Sequence, residues 1–282
     1  MKRRMLLSLL GMLVLLASCN HHELCYHHPH TSKVRINVDW TQFSKEQPTG
    51  MTVMIFPASG EKPQTHLSNT LDHVSAQLEA GVYQTLVFNQ SSTEFGSFTF
   101  RHMDSWENAE VVANTAASRW YEARVDGERV VTEPEWLGID SESGLRVTED
   151  MITLGGMHQQ GEKRADSEYV ISSLVPQNVI YTLYVKVNIP GGVYNLRSAR
   201  AALDGLSEGV KFSTLQRSDA VVTQLLEEWS LTVDKNDPSR GYIEVSSQCF
   251  GLPFSYQGTP EENNFLLSLL LVDGKTVVDV PC

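Results

Sequence analysis

The chain has 282 residues, with 22 Lys and Arg against 34 Asp and Glu, a formal net charge of −12. That balance argues against nucleic acid as a partner and against electrostatic docking on anionic lipid. An apolar content of 41% is enough for a sizeable core, and the length favours two domains over one.

Lys2-Arg3-Arg4 precede an uncharged stretch, Met5–Ala17, too short to span a bilayer comfortably. It ends at Leu16-Ala17-Ser18-Cys19. A basic start, a short apolar core and small residues before a cysteine read as a lipoprotein export signal. Residues 1–18 are then the signal, and the Cys19 thiol is the lipid attachment position. The acyl chains must supply the membrane anchor, and stable anchoring needs two or more of them. Phe265–Val272 is apolar but short and carries Ser268, so a buried strand explains it better than a membrane span. With Cys19 acylated, the remaining thiols are Cys25, Cys249 and Cys282. Either Cys249 and Cys282 pair or all three stay unpaired.

Residues 19–32 form a His-rich tether. Its imidazoles (His21, His22, His27, His28, His30) and Cys25 are metal-ligand types, but no second ligand group at a familiar spacing closes a site. A hydrated spacer is the simpler reading, and no metal or other cofactor is expected. Val34, Ile36, Val38 and Trp40 then alternate with Lys33, Arg35, Asn37 and Asp39, the pattern of a half-buried strand. Met51–Phe56, Ser75–Leu78, Val82–Phe88 and, less cleanly, Glu94–Arg101 follow as strands. Asp104–Ala109 reads as one helical turn capped by Asp104. Further strands are expected at Glu122–Val131, Trp136–Ile139 and Leu145–Leu154.

Gly155–Ser167 is polar and glycine-containing and serves as the linker between an N-terminal domain, 33–158, and a C-terminal domain, 168–282. In the second block, Tyr169–Leu174, Tyr181–Ile189, Val210–Phe212, Trp229–Val233, Tyr242–Val245 and Leu266–Val272 are strand candidates. Arg197–Leu203 fits a helix or a strand. Ser218–Glu228, with Val221, Val222, Leu225 and Leu226 as an apolar stripe, is the best helix in the chain. Thr276–Val280 reads as a strand still in progress, so a final strand is expected beyond it. Short strands at turn-bounded intervals with little helix describe an all-β protein of two tandem antiparallel β-sandwiches.

Gly205-Leu206-Ser207-Glu208-Gly209 matches the G-x-S-x-G serine turn of hydrolases. Its surroundings do not: Val210-Lys211-Phe212 looks like a strand where a helix is needed, and no histidine follows His158. A glycine-flanked turn is the better reading, and no catalytic residue is assigned. Trp106, Trp120 and Trp136 are either core or rings that stack on sugars. Glu133, Glu135, Asp140 and Glu142 crowd one region without calcium-loop order, and read as a solvated acidic loop.

Several stretches resemble known proteins. Glu23-Leu24-Cys25-Tyr26-His27-His28-Pro29-His30 behind the signal resembles the opening of a Bacteroidota lipoprotein family of unknown function. Ala80-Gly81-Val82-Tyr83-Gln84-Thr85-Leu86-Val87-Phe88-Asn89 is similar to a strand of fimbrillin-like proteins. Val131–Leu137 with its Glu-Pro-Glu-Trp core, Tyr184–Ile189 and Ala201–Val210 look like further segments of the same family. The resemblance implies two transthyretin-like sandwiches and a role like that of minor or anchoring fimbrial subunits, which join by lending a strand to a neighbour's open sheet edge. It also implies an outer-membrane location, fimbrial subunits as partners, and no catalytic residues; only Cys19 carries over. The alternative is a glycan- or protein-binding surface lipoprotein outside any fimbrium.

Overall fold

The computed structural model describes residues 30–43, 45, 47–152, 168–259 and 263–281. The signal, Cys19, most of the His-rich tether, the whole of the expected linker and Cys282 lie outside the described residues. Among those described, the protein is built almost wholly of β-strands. In chain order the first are β1 (Ser32–Val38), β2 (Met51–Pro57), β3 (Gln64–Ser68), β4 (His73–Leu78), β5 (Gly81–Asn89), β6 (Phe98–Arg101), β7 (Glu110–Ala113), β8 (Val130–Val131), β9 (Gly138–Val147), β10 (Tyr169–Leu174) and β11 (Gln177–Asn178). Then come β12 (Tyr181–Ile189), β13 (Leu196–Ser207), β14 (Gly209–Lys211), β15 (Gln216–Arg217), β16 (Val221–Leu226), β17 (Ser230–Val233), β18 (Gly241–Cys249), β19 (Phe265–Leu271) and β20 (Val277–Pro281).

The strands make five sheets, ordered β10-β1-β4, β11-β9-β5-β2-β3, β15-β14-β7-β6, β20-β19-β13-β16-β8 and β12-β18-β17. The alternation in β1 has the expected outcome: Val34, Ile36 and Val38 are buried against Met51, Val53 and Ile55 of β2. The opposite faces of β2 and β5 are buried too. Met54, Phe56, Leu86 and Phe88 enter a second core with Phe98, Val111, Val210 and Phe212. The second sheet is therefore a middle layer, which explains the unbroken apolar run Val53–Phe56. A third core, containing Ala201, Leu226, Ile243, Val245 and Leu267, lies between the fourth and fifth sheets and makes the C-terminal sandwich.

Two strands cross the expected domain division. β10 pairs in parallel with β1, and β11 pairs with β9, so residues 169–178 belong to the sheets of the N-terminal half. Conversely β14 pairs with β7, placing a strand of the C-terminal half in a sheet with β6 and β7. β8 reaches the other way and pairs in parallel with β16. These two parallel ladders are the exceptions in an otherwise antiparallel set.

Local expectations change for identifiable reasons. Ser218–Glu228 is not a helix: it contains β16, central in its sheet between β13 and β8. Val222 and Leu226 bury toward two different cores on one face, while Leu225 packs with Tyr121 and Ala202 on the other. Burial on both faces produces apolar residues at helical spacings by coincidence. Of Glu122–Val131 only Val130–Val131 is strand. Trp136–Ile139 and the start of Leu145–Leu154 are one strand, β9, followed by a short helical turn at 149–152. At Asp104–Ala109 the backbone turns without a regular helix, with the Asn108 and Ala109 N–H groups donating to the Ser105 carbonyl. Arg197–Leu203 resolves as strand, within β13.

One glycine has no substitute. At Gly209 the β14 backbone passes so close to β7 that a Cβ would sit 2.0 Å from the Val111 carbonyl oxygen. Both partners are backbone, so neither can rotate away. Gly209→Ala is expected to lower stability by about 3 kcal/mol in urea unfolding, because the β7–β14 ladder must separate. Gly96→Ala, where added carbon meets nothing within 4 Å, should change it by less than about 0.5 kcal/mol.

Candidate functional site

Ser207 closes β13 and is 2% exposed. Its hydroxyl lies 2.8 Å from the Ser218 carbonyl and 3.0 Å from the Gly209 carbonyl, which share its proton. Its N–H donates to the Gly251 carbonyl. No imidazole lies among these partners. Gly205 adopts a left-handed φ of 83° beside the irregularity in the β13–β16 ladder. Glu208 is buried and forms ion pairs with Arg129 and, at 4.0 Å, with Arg101. Burial pulls the Arg129 pKa below its ordinary value. Letters that resemble a nucleophile turn thus form the crossover that hands the chain from the fourth sheet to the third.

The four grouped carboxylates fasten backbone. Glu133 accepts from the Gln248 N–H at 3.0 Å. Glu135 accepts from the Gly96 and Ser97 N–H groups at 2.8 and 2.9 Å and from the Ser97 hydroxyl at 2.7 Å. Asp140 accepts from the Val175 N–H, and Glu142 from the Ser172 hydroxyl, both at 2.6 Å. They are neither one solvated loop nor a facing pair: each ties its strand to a different segment. No cluster of three or more His, Cys, Asp or Glu side chains suited to a metal ion occurs among the described residues.

The three tryptophans are half-buried and have different partners. Trp106 meets Phe56 edge-on at 5.6 Å, and Trp136 packs on the central core with the Lys45 ammonium 5.1 Å from its ring. Trp120 donates to Glu227 at 2.6 Å and carries the Arg200 guanidinium over its face at 4.6 Å. No ring contact joins the three among the described residues. Cys249 is a free thiol in the central core, where burial pushes its pKa up.

An open cleft of about 240 Å³ is lined by Val179, Tyr181, Val210, Leu215, Gln216, Arg217 and Phe254, all from the C-terminal half. Tyr181 is 51% exposed and Phe254 59%. The Arg217 guanidinium lies 5.4 Å from the Tyr181 ring centre. Sequence reasoning missed this site because its residues come from three segments far apart in the chain. The one local signal is Phe254, an aromatic in a Gly/Pro loop.

The model of a family described as a domain of unknown function, DUF5119, matches residues 18–227. The chain belongs to the DUF5119 family. No curated protein matches the sequence. Among solved structures, a candidate adhesin of Bacteroides ovatus ATCC 8483 aligns with a TM-score of 0.61 at 17% identity, over 94% of this chain and 86% of its own. A candidate adhesin of Bacteroides thetaiotaomicron VPI-5482 gives 0.53 at 9% identity, over 90% and 80%. The fimbrial anchor protein Mfa2 of Porphyromonas gingivalis gives 0.48 at 10% identity, over 89% and 82%. At these identities the likeness to the first two is one of fold.

In this DUF5119 chain two of the segments that resemble fimbrillin-like proteins, Ala80–Asn89 and Val131–Leu137, are joined by hydrogen bonds. Asn89, ending β5, accepts from the Gly138 N–H at 2.8 Å and donates to the Trp136 carbonyl at 3.4 Å. Glu135, on the same Glu-Pro-Glu-Trp segment, holds the chain before β6. Burial pushes the Glu135 pKa up, but the Ser97 hydroxyl and the Ser97 and Gly96 amides pull it further down, to below the ordinary value of 4.5. A depressed folded-state pKa gives stability that is complete above the unfolded value and is lost as pH falls through the folded one. Glu135→Gln should therefore melt below wild type at neutral pH, with the gap closing on acidification through the carboxylate range. For Ser207→Ala we expect a loss of about 1–3 kcal/mol in urea unfolding, since the Ser218 carbonyl loses its hydroxyl donor while the Gly209 carbonyl keeps the Ser218 N–H. In the native chain, a serine-directed fluorophosphonate should leave Ser207 unlabelled.

Proposed function

We propose that this protein is a non-enzymatic lipoprotein, held at the outer membrane by a lipid on Cys19, that serves as an adhesin-type or minor/anchor subunit of a fimbrium. The observation that carries the reading is an open sheet edge. Among the described residues β20 is the outer strand of the fourth sheet, and its side chains, Val277 and Val278 among them, are exposed. It is held to β19 by the ladder from Leu266↔Pro281 to Leu270↔Val277, with little side-chain burial to reinforce it. Such an edge offers N–H and C=O groups to an added strand, and a strand stabilised mainly by its ladder is readily exchanged.

Two further points support the reading. The fold is shared with the Bacteroides candidate adhesins over most of both chains. The residues that sequence offered for hydrolysis, Ser207 and the four carboxylates, bond to the protein's own backbone or hydroxyl groups. The tether rests on the sequence of residues 1–19 and the fimbrial context on the resemblance of β5 and its neighbours.

Cys19→Ala is expected to convert a membrane-bound protein into a soluble one in fractionated cells at high salt. Retention with membranes would contradict the Cys19 anchor. Extraction of intact cells in mild detergent should co-purify fimbrillin-like subunits with the wild-type chain; recovery of a lone monomer would contradict the fimbrial role.

A further inference from the structure

The cleft carries the Arg217 guanidinium, which makes no side-chain hydrogen bond or ion pair among the described residues and rests on the Tyr181 ring, in a chain where acidic groups outnumber basic ones by 12. Arg35 pairs with Asp72 and Glu168, Arg101 with Glu110, Arg129 with Glu208 and Arg240 with Asp237, while Arg200 rests on the Trp120 ring. Arg217 instead lies over Tyr181 and is half-buried in the cleft wall. A guanidinium partly withdrawn from water, with its donors unspent, favours a carboxylate that can accept two of them side by side.

The rest of the wall is apolar and poorly covered. Phe254 and Tyr181 expose half or more of their surface. Leu215, at the end of the β14–β15 turn, is exposed and has a φ of +55°, a left-handed conformation that bulky residues seldom adopt. Neither burial nor an easy backbone explains a leucine there. Gln216 adds an amide that can donate to and accept from hydroxyls. No acidic side chain is among the described residues that line this cleft, and in a separate cleft the Asp219 carboxylate is occupied by the Ser255 N–H at 2.8 Å.

We propose that this cleft binds one uronic-acid unit of an acidic glycan, with the sugar carboxylate on Arg217 and the C–H face of its ring on Phe254. Three observations select that ligand. A volume of about 240 Å³ admits a single sugar ring rather than a larger group. Flat aromatic faces beside a planar amide suit a molecule with one apolar face and a rim of hydroxyls. A single guanidinium in the cleft matches one carboxylate on the bound unit, which it can hold through two parallel donors. The inference needs neither the Cys19 tether nor the fimbrial role, so its failure leaves both untouched.

The test is a titration of the full chain with D-galacturonic acid, followed by saturation-transfer NMR and calorimetry, with D-galactose as the neutral counterpart. Galacturonate should bind with a dissociation constant on the order of 1 mM, and galactose about ten-fold more weakly. Arg217→Gln should bring galacturonate down to the galactose level without changing the melting temperature. Phe254→Ala, at an exposed position, should weaken both sugars and provides an independent arm should Arg217→Gln fold poorly. Equal binding of the two sugars, no binding of either, or unchanged galacturonate affinity in folded Arg217→Gln would overturn the proposal. So would tighter binding of a glutamate-rich peptide than of galacturonate.

Discussion

Val111 and Gly209 bring two backbones into contact at the centre of this protein with no space for a side chain between them. The contact is one of several junctions between the two halves, beside the β1–β10, β9–β11 and β8–β16 ladders. The β7–β14 ladder joins a strand of each half, and Phe212, directly after β14, stacks on Phe88 and Phe100. Phe250, after β18, packs on Phe98 from the same half. The aromatic core is therefore common property. Removing one such ring costs about 3–5 kcal/mol, a large share of a typical domain's stability.

Polar groups are spent in the service of that union. Glu208 answers Arg129 and Arg101 beside the crossover, Glu133 reaches Gln248 in the other half, and Ser141 donates to the Phe212 carbonyl at 2.7 Å. Each satisfies a group that burial would otherwise leave costly. The Ser207 hydroxyl and the Glu133, Glu135 and Asp140 carboxylates are likewise engaged with backbone. The exposed β20 and the arginine cleft lie outside these contacts.

Legibility along the chain followed exposure. β1 was plain because one face meets water and Lys33 and Arg35 mark it, and β12 was plain for the same reason through Thr182, Tyr184 and Lys186. β16 was misread because Val222 and Leu225 are buried on opposite faces, which erases the period of two. β10 was placed in the wrong half because pairing with β1 leaves no trace in its own letters. The carboxylates of 133–142 were visible as a group, but their partners, at Gln248, Ser97, Val175 and Ser172, were not. Arg217, Tyr181 and Phe254 were individually unremarked, since only folding makes them neighbours.

Taken alone, the sequence determined an all-β chain of short strands with a net negative charge and a G-x-S-x-G lacking its partners. Those properties are local: alternation, turn residues and residue charge are written in consecutive positions. Which strand joins which sheet, why Gly209 must lack a side chain, and where an unpaired guanidinium meets exposed rings were decided by tertiary structure. The reason is that sheet partners are chosen by non-local backbone hydrogen bonds and by shared burial, and neither quantity belongs to any one segment.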